Sequence, residues 1–305
     1  MISPLTSRQN MHMIMTEKQK KNTKKENKGN SGGAKKVIID FHGHIFPERI
    51  AEYAVKGMEQ SGTVRACISG TRRELRTSMR ENGIDYTVLL PVATKPSQFE
   101  SLNAYAKKYH GKDGMIYFGG IHPKSEKVKE ELDIIKSFGF PGIKLHPDYQ
   151  DTYFDDPAYI DLIAYAAEME FIITVHAGMD DAYPDDIHCR PEQVLAVLEQ
   201  LEKIGAKTPK LVLAHMGGYD CWNEVETLLA GRNLYLDTSY TLGLMPKEQF
   251  LNIVKKHGAD KILFGTDSPW RDQKKEVEAV KKLPLTEIEK EKILGENAKQ
   301  LLGLF

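Results

Sequence analysis

From residue 37 onward, short apolar runs rich in β-branched residues alternate with longer segments of helical periodicity. The apolar runs predict eight strands, at residues 37–40, 86–90, 115–121, 142–145, 171–175, 210–214, 234–237 and 261–265. The amphipathic segments predict helices at residues 97–109, 125–138, 157–169, 191–204, 219–230 and 246–257. Strands that alternate with helices favour a parallel sheet covered by helices, and eight such units in about 250 residues are typical of a barrel. We therefore predict an α/β fold, a (β/α)8 TIM barrel, over residues 37–305 as a single domain, with a doubly wound open sheet as the alternative.

The first 36 residues differ from the rest of the chain in composition. They hold nine basic and two acidic residues among Asn, Gly and Ser, whereas the remainder holds 33 basic against 41 acidic residues. A basic segment without apolar periodicity predicts a disordered tail at residues 1–36, and a nucleic-acid-binding arm is the alternative interpretation. The acidic body argues against a nucleic-acid-binding protein.

Composition excludes several other classes of protein. With 41% hydrophobic residues the chain can bury one substantial core. No run reaches the roughly 18 to 20 apolar residues of a membrane-spanning helix, so we expect no membrane association. Cys67, Cys189 and Cys221 are widely spaced and outside any CxxC pattern, which predicts reduced structural thiols and a cytoplasmic location.

Histidines and an aspartate follow the predicted strands where the apolar runs stop. His42 and His44 end the first strand, His176 the fifth, His215 the sixth and Asp267 the eighth. The carboxyl ends of barrel strands meet at one rim, where catalytic residues of such barrels lie. Neutral imidazoles and a carboxylate are suitable ligands for a borderline divalent ion. We therefore predict one such ion held by His42, His44, His176 and Asp267.

These strand ends also carry a resemblance to a known family. The segments are DFHGH at 40–44, GIKLHP at 142–147, VHAG at 175–178, AHMGG at 214–218 and GTDSP at 265–269. Together they resemble the amidohydrolase superfamily, in particular the amidohydrolase-related (amidohydrolase 2) branch of TIM-barrel metal-dependent hydrolases. They are similar to aminocarboxymuconate-semialdehyde decarboxylase-type enzymes. The resemblance covers essentially all of residues 37–305.

The resemblance implies an enzyme with one divalent metal ion, for which we expect zinc, with manganese or iron as alternatives. It implies that His215 orients or deprotonates a metal-activated water and that Asp267 is both ligand and catalytic residue. The predicted function is hydrolysis of a small carbonyl-containing substrate. The alternative is a metal-dependent non-oxidative decarboxylase (carboxy-lyase) of a small unsaturated or aromatic acid, and a non-catalytic barrel that keeps its metal is a third reading.

Four further rim residues are candidates for substrate binding: Lys144, His146, Arg190 and Trp270. Some members of the resembled superfamily carry a carboxylated lysine on this strand that bridges two metals, so the resemblance implies the same modification as an alternative for Lys144. A salt bridge of Lys144 beneath the site is a further alternative. Asp40 is predicted to support a ligand histidine, and residues 237–239 are left ambiguous. The short barrel has little room for capping loops, so a neighbouring subunit could complete the pocket, and we expect a homo-oligomer.

Overall fold

Parallel strands form the centre of the protein. The structure, a computed structural model, describes residues 36–61 and 64–304. Its strands are β1 Ile39–Gly43, β2 Tyr86–Leu89, β3 Met115–Tyr117, β4 Gly119–Gly120, β5 Gly142–Leu145, β6 Ile172–Val175, β7 Lys210–Leu213, β8 Tyr235–Asp237 and β9 Ile262–Leu263. Hydrogen-bonded pairs follow the orders β1-β2-β3 and β4-β5-β6-β7-β8-β9, all parallel. Only Phe118 separates β3 from β4, and its N–H donates to the carbonyl of Leu89 on β2. These two strands therefore share one position, which leaves eight positions as predicted.

Hydrogen bonds between β1 and the segment around β9 close the sheet on itself. The N–H of Phe41 donates to the carbonyl of Phe264 at 2.7 Å. One step further, the N–H of Asp267 donates to the carbonyl of His42 at 2.8 Å, and Gly43 bridges to Ser268. The fold is a TIM barrel, and the open-sheet alternative is wrong because the first and last strands are joined.

Helices cover the outside of the barrel. They are α1 Glu48–Ser61, α2 Arg72–Asn82, α3 Phe99–Tyr109, α4 Val128–Ser137, α5 Pro157–Glu168, α6 Pro191–Lys203, α7 Trp222–Glu224, α8 Lys247–His257, α9 Gln273–Lys281, α10 Glu287–Glu291 and α11 Asn297–Leu302. All six predicted helices are present, although the one at 219–230 consists of α7 followed by a π-helical turn at Val225–Leu229. The sequence analysis did not predict α1, α2 or the three C-terminal helices.

Most residues of the strands are buried. Every residue of β1, β5 and β6 is buried, as expected for parallel strands with side chains packed on both faces. The rings of Phe41 and Phe118 meet edge to face with centroids 5.8 Å apart. Polar side chains on these strands are therefore held in fixed positions by dense packing.

Two predictions concern features outside the barrel. None of the helices in the described part of the chain has the length and apolar character needed to cross a membrane. The predicted tail at residues 1–36 lies outside the described residues, apart from Lys36. The Nζ of Lys36 lies 2.5 Å from a carboxylate oxygen of Glu291.

Two glycines give opposite predictions for stability. A Cβ at Gly142 would stand 2.3 Å from the carbonyl oxygen of Ile172 and 2.4 Å from the ring of Phe118, so Gly142→Ala should destabilise the protein by about 2 kcal/mol or more. A Cβ at Gly57 on α1 meets nothing within 4 Å, so Gly57→Ala should stabilise by about 0.5 to 1 kcal/mol. Urea unfolding of both variants checks this, and a Gly142→Ala protein as stable as wild type would contradict the packing described.

Candidate active site

The carboxyl ends of the strands open into a cavity of about 1030 Å³. Its lining includes most of the predicted site residues, namely His42, His44, Lys144, His146, His176, His215, Asp267 and Trp270. Tyrosines also contribute to its wall: Tyr53, Tyr105, Tyr117, Tyr149, Tyr183, Tyr219 and Tyr240. The site is therefore a polar floor of histidines and charged groups beneath aromatic walls.

Three predicted ligands converge at the junction of β1 and β9. The Nε2 atoms of His42 and His44 lie 3.1 Å apart. Asp267 Oδ1 lies 3.2 Å from His44 Nε2 and 3.5 Å from His42 Nε2. Barrel closure causes this proximity, since the N–H of Asp267 is bonded to the carbonyl of His42.

Partners on the far side of each ring fix which nitrogen faces the centre of this cluster. His44 Nδ1 lies 2.9 Å from the carbonyl oxygen of Leu90, which only accepts, so Nδ1 carries the proton. His42 Nδ1 lies 2.8 Å from Asp237 Oδ2 and donates to it in the same way. In the neutral rings both Nε2 atoms therefore present lone pairs to each other and to the carboxylate of Asp267.

Three converging acceptors with no proton between them fit a cation. Ligands bound at about 2.0 to 2.2 Å from a zinc-type ion lie roughly 3 to 3.5 Å from one another, which is the range of the three distances measured here. His42, His44 and Asp267 together thus form a donor set suited to one divalent ion.

Asp237, whose role the sequence left ambiguous, organises the floor of the cavity. Its Oδ2 accepts from His42, and its Oδ1 accepts from the backbone N–H groups of His215 and Ser239 and from the hydroxyl of Ser239. Although burial opposes ionisation, the neighbouring His42 and His215 lower the pKa of Asp237 to about 2. One buried carboxylate therefore positions two of the predicted site histidines.

Asp40 supports His42 through the backbone. It accepts from the N–H of His42 at 3.2 Å, from the N–H and hydroxyl of Thr266 at 2.9 and 2.7 Å, and from Gln273 at 2.7 Å. Burial raises the pKa of Asp40 to about 6. The prediction that Asp40 supports a ligand histidine holds for the main chain, whereas the ring of His42 is held by Asp237.

His215 and His176 form a chain of hydrogen bonds beside the first cluster. His215 Nδ1 lies 3.0 Å from the carbonyl oxygen of Ser239, and its Nε2 lies 3.0 Å from His176 Nδ1. Burial lowers the pKa of both histidines, so both rings are neutral at neutral pH. The structure thus brings His42, His44 and Asp267 together but places His176, the fourth predicted ligand, in a neighbouring group.

That neighbouring group was not predicted from the sequence. It consists of His146, His176 and Asp180, whose ligand atoms lie within 4.8 Å of one another. His146 lies between two rings: centroid distances of 4.1 Å separate it from both Tyr149 and His176. His146, predicted as a substrate contact, therefore lines the cavity and also packs directly against a predicted metal ligand.

The sequence of the barrel matches a known family. Residues 39–304 match the family described as amidohydrolase. The chain belongs to the amidohydrolase family. The predicted resemblance is thereby confirmed, and with it the prediction of an enzyme, since the family includes hydrolases and carboxy-lyases.

Solved structures with low sequence identity share this amidohydrolase fold. 5-Carboxyvanillate decarboxylase from Sphingomonas paucimobilis is 14% identical, with a TM-score of 0.64 and coverage of 88% of this chain and 100% of the other. A dihydroxybenzoic acid decarboxylase from Polaromonas, with bound manganese and the inhibitor 2-nitroresorcinol, is 17% identical, with a TM-score of 0.64 and coverage of 88% and 97%. A probable 2-pyrone-4,6-dicarboxylic acid hydrolase from Acinetobacter baumannii is 19% identical, with a TM-score of 0.61 and coverage of 88% and 99%. No curated protein sequence matches the chain.

Of the two remaining predicted substrate contacts, Trp270 and Arg190, one lies in the cavity wall and the other does not. Trp270 lines the cavity. Arg190 is exposed at the start of α6, where its backbone N–H donates to the side chain of Gln193, and it does not line the cavity. Arg190 as a substrate contact therefore stays a prediction.

Lys144 lies at the centre of the cavity floor. Only 1% of the residue is exposed, and its Nζ lies 3.4 Å from His42 Nε2. Burial lowers the pKa of Lys144 to about 8, opposed by the charges of Asp237 and Asp267. No carboxylate of the described residues lies within ion-pair distance of Nζ, so the direct salt bridge considered for Lys144 is not formed.

Lys144 should therefore destabilise the metal-free protein. Its pKa is lower in the fold than the ordinary 10.5, so wild-type stability should rise as pH increases from about 8 toward 10.5, where the folded state has released the proton first. Lys144→Met should stabilise metal-free protein at pH 7 by on the order of 1 to 3 kcal/mol, with a smaller gain above pH 8. Denaturant unfolding at several pH values measures this.

The exposed Lys255 on α8 provides the matched control. Lys255→Met should change stability by no more than about 0.5 kcal/mol at any of these pH values. A Lys144→Met protein less stable than wild type at pH 7 would show instead that the buried ammonium is well compensated.

Proposed function

We propose that this amidohydrolase is a metal-dependent hydrolase of a small carbonyl-containing substrate. The observation that carries the proposal is the convergence of His42 Nε2, His44 Nε2 and Asp267 Oδ1 within 3.5 Å of one another, beside His215 on the same cavity floor. Such a donor set holds a divalent ion and leaves room for water or substrate.

His42, His44 and Asp267 would hold the ion, and His176 as a fourth ligand stays a prediction. Zinc is the ion we expect for two imidazoles and a carboxylate, with manganese or iron as alternatives. The bound manganese of the Polaromonas decarboxylase supports a divalent ion on this fold. When bound, the ion supplies Lewis-acid activation of water and of a carbonyl group.

The histidine and the carboxylate have separate roles in moving the proton. His215 Nδ1 is occupied with the carbonyl of Ser239, so Nε2 is the atom that would take a proton from the attacking water, in place of its hydrogen bond with His176 Nδ1. The imidazoles of His44 and His42 beside the carboxyl group hold the pKa of Asp267 far below its usual range despite burial. Asp267 therefore remains a carboxylate and orients the water as an acceptor.

Lys144 and the tyrosines provide the substrate contacts. Nζ of Lys144 is the cation nearest the floor of the cavity and would donate to the oxygen on which negative charge develops during attack. The aromatic wall, which includes Tyr149, Tyr219 and Tyr240, favours a planar or apolar body attached to the reacting carbonyl. The cavity of about 1030 Å³ has room for a drug-sized molecule.

Decarboxylation of a small aromatic or unsaturated acid is the second candidate. The same lysine would pair with a substrate carboxylate, and the aromatic wall would hold the ring. Two of the structural neighbours are decarboxylases of aromatic acids, which supports this candidate on the level of the fold.

Substitution of two histidines separates metal binding from proton transfer. His42→Asn should abolish both the bound metal and turnover. His215→Asn should keep the metal and lower kcat by roughly 10²- to 10⁴-fold, as expected for loss of a general base. Elemental analysis alongside kinetics checks this, with His110→Asn as the control, because the asparagine oxygen can still accept from the N–H of Tyr117. A His215→Asn enzyme with full kcat would contradict the assigned role.

Product analysis separates the two candidate reactions. We expect the zinc-loaded enzyme to hydrolyse members of a panel of aryl esters, lactones and amides, without release of carbon dioxide from aromatic or unsaturated carboxylic acids. Metal-free enzyme serves as the blank. Release of carbon dioxide with no hydrolysis would overturn the first candidate in favour of the second.

A further inference from the structure

The cavity extends beyond the floor on which the histidines lie. Its volume of about 1030 Å³ is at the upper end of the roughly 300 to 1,000 Å³ that is typical of small-molecule sites. Part of its lining comes from two stretches of chain, residues 45–60 and 89–117, neither of which contains a predicted site residue. We call the part of the cavity lined by these stretches the side chamber. A substrate no larger than its reacting carbonyl group would contact only the floor, so the reaction described above gives the side chamber no role.

Helix α1 presents an apolar stripe to the side chamber. Ile50, Ala54 and Met58 recur at intervals of four residues, so they lie on one face of the helix, and all three line the cavity. Ala51 and Val55, one position further along the chain, are buried in the fold. Ile50 remains 41% exposed, so the protein does not fully cover the stripe that faces the cavity.

The second wall of the side chamber carries no charge. Its large side chains are Leu89 at the end of β2, Leu102 and Tyr105 on α3, and Tyr117 on β3. Among the described residues 89–117 that line the cavity, none has a charged side chain. The hydroxyl oxygens of Tyr105 and Tyr117 are covered by protein, so these side chains offer carbon rather than oxygen to the cavity. Burial raises the pKa of Tyr105 to about 12, so its ring stays neutral.

The polar residues of the side chamber have other contacts. Arg49 and Lys56 of α1 are exposed to solvent and keep their hydration. Gln98 Oε1 accepts from the N–H of Thr94 at 2.7 Å, and the hydroxyl of Ser101 donates to the carbonyl of Gln98 at 3.3 Å. A charged group placed in the side chamber would therefore lose its hydration without gaining an opposite charge on the second wall.

We propose that the side chamber binds an uncharged apolar arm of the substrate, an alkyl chain or aryl group attached to the carbonyl that reacts at the floor. The floor and the side chamber belong to one cavity, so one molecule can occupy both. Burial of apolar surface against these walls is favourable in proportion to the area removed from water. This inference rests on the proposed function for the position of the carbonyl, and it adds the substrate class: lipophilic esters, lactones or amides rather than compact polar ones.

Hydrolysis of p-nitrophenyl acetate, butyrate, hexanoate and octanoate by the zinc-loaded full-length enzyme tests the proposal. We expect kcat/KM to increase along the series by roughly two- to fourfold for each added CH₂ group until the side chamber is filled. A constant or falling kcat/KM from acetate to hexanoate, with the acetate hydrolysed, would overturn the side chamber as a substrate site and leave the hydrolase function intact.

Two variants fill the side chamber from different walls, so the test does not depend on the folding of either one. Leu102→Trp acts from α3 and Ala54→Trp from α1, and in each the ratio of kcat/KM for hexanoate to that for acetate should fall toward one. Ala104→Trp is the matched control, since Ala104 is exposed on α3 outside the cavity lining, and it should keep the wild-type ratio. Far-UV circular dichroism confirms folding, and a wild-type ratio in both chamber variants would overturn the proposal.

Binding of the unreactive alcohols 1-hexanol and 1-octanol separates this inference from the proposed reaction. By isothermal titration calorimetry, 1-octanol should bind wild type and Ala104→Trp roughly 4- to 16-fold more tightly than 1-hexanol, and Leu102→Trp should lose this difference. If no ester is hydrolysed but the alcohols bind in this pattern, the hydrolase proposal fails and the side chamber stands. Equal binding of the two alcohols by wild type would overturn the side chamber.

Discussion

The hydrogen bonds that join the first strand to the last hold the candidate site together. His42 and Asp267 are far apart along the chain, and the bond from the N–H of Asp267 to the carbonyl of His42 brings them side by side. The same closure aligns Phe41 with Phe264, so that the backbone below the site is fixed by packing as well as by hydrogen bonds. Since Asp267 reaches the two histidines of β1 through this junction, an open sheet of the same strands would not form the cluster.

One buried carboxylate then determines how the histidines face the cavity. Asp237 accepts from the ring of His42 and from the backbone of His215, so a single charge orients a candidate ligand and the candidate base. Such supporting partners fix the tautomer of a ligand histidine and raise its basicity. Burial of Lys144 next to this pair lowers its pKa to about 8, and a buried charge of this kind is the pattern expected where function is favoured over stability.

The sequence predicts most of the fold because its signals are local. Eight apolar runs separated by helical segments suffice to predict a barrel. Helix α1 was not predicted, although Ala51, Val55 and Met58 recur there at helical spacing. In the site, His42, His44 and Asp267 follow from their positions at strand ends. The partners of these histidines depend on contacts between distant strands, so the hydrogen bonds of Asp237 could not be predicted. Strand periodicity does not encode the path of a loop, so the position of Arg190 outside the cavity lining could not be predicted. The substrate contact of Arg190, the oligomeric state and the cytoplasmic location stay predictions.

The central claim is that closure of the barrel creates a cation site between His42, His44 and Asp267. Anomalous X-ray diffraction at the zinc absorption edge, on crystals of zinc-loaded protein, tests it most directly. The account predicts an anomalous peak bonded to His42 Nε2, His44 Nε2 and Asp267 Oδ1 at about 2.0 to 2.2 Å. Zinc-loaded crystals with well-ordered side chains and no peak between these three atoms would contradict it.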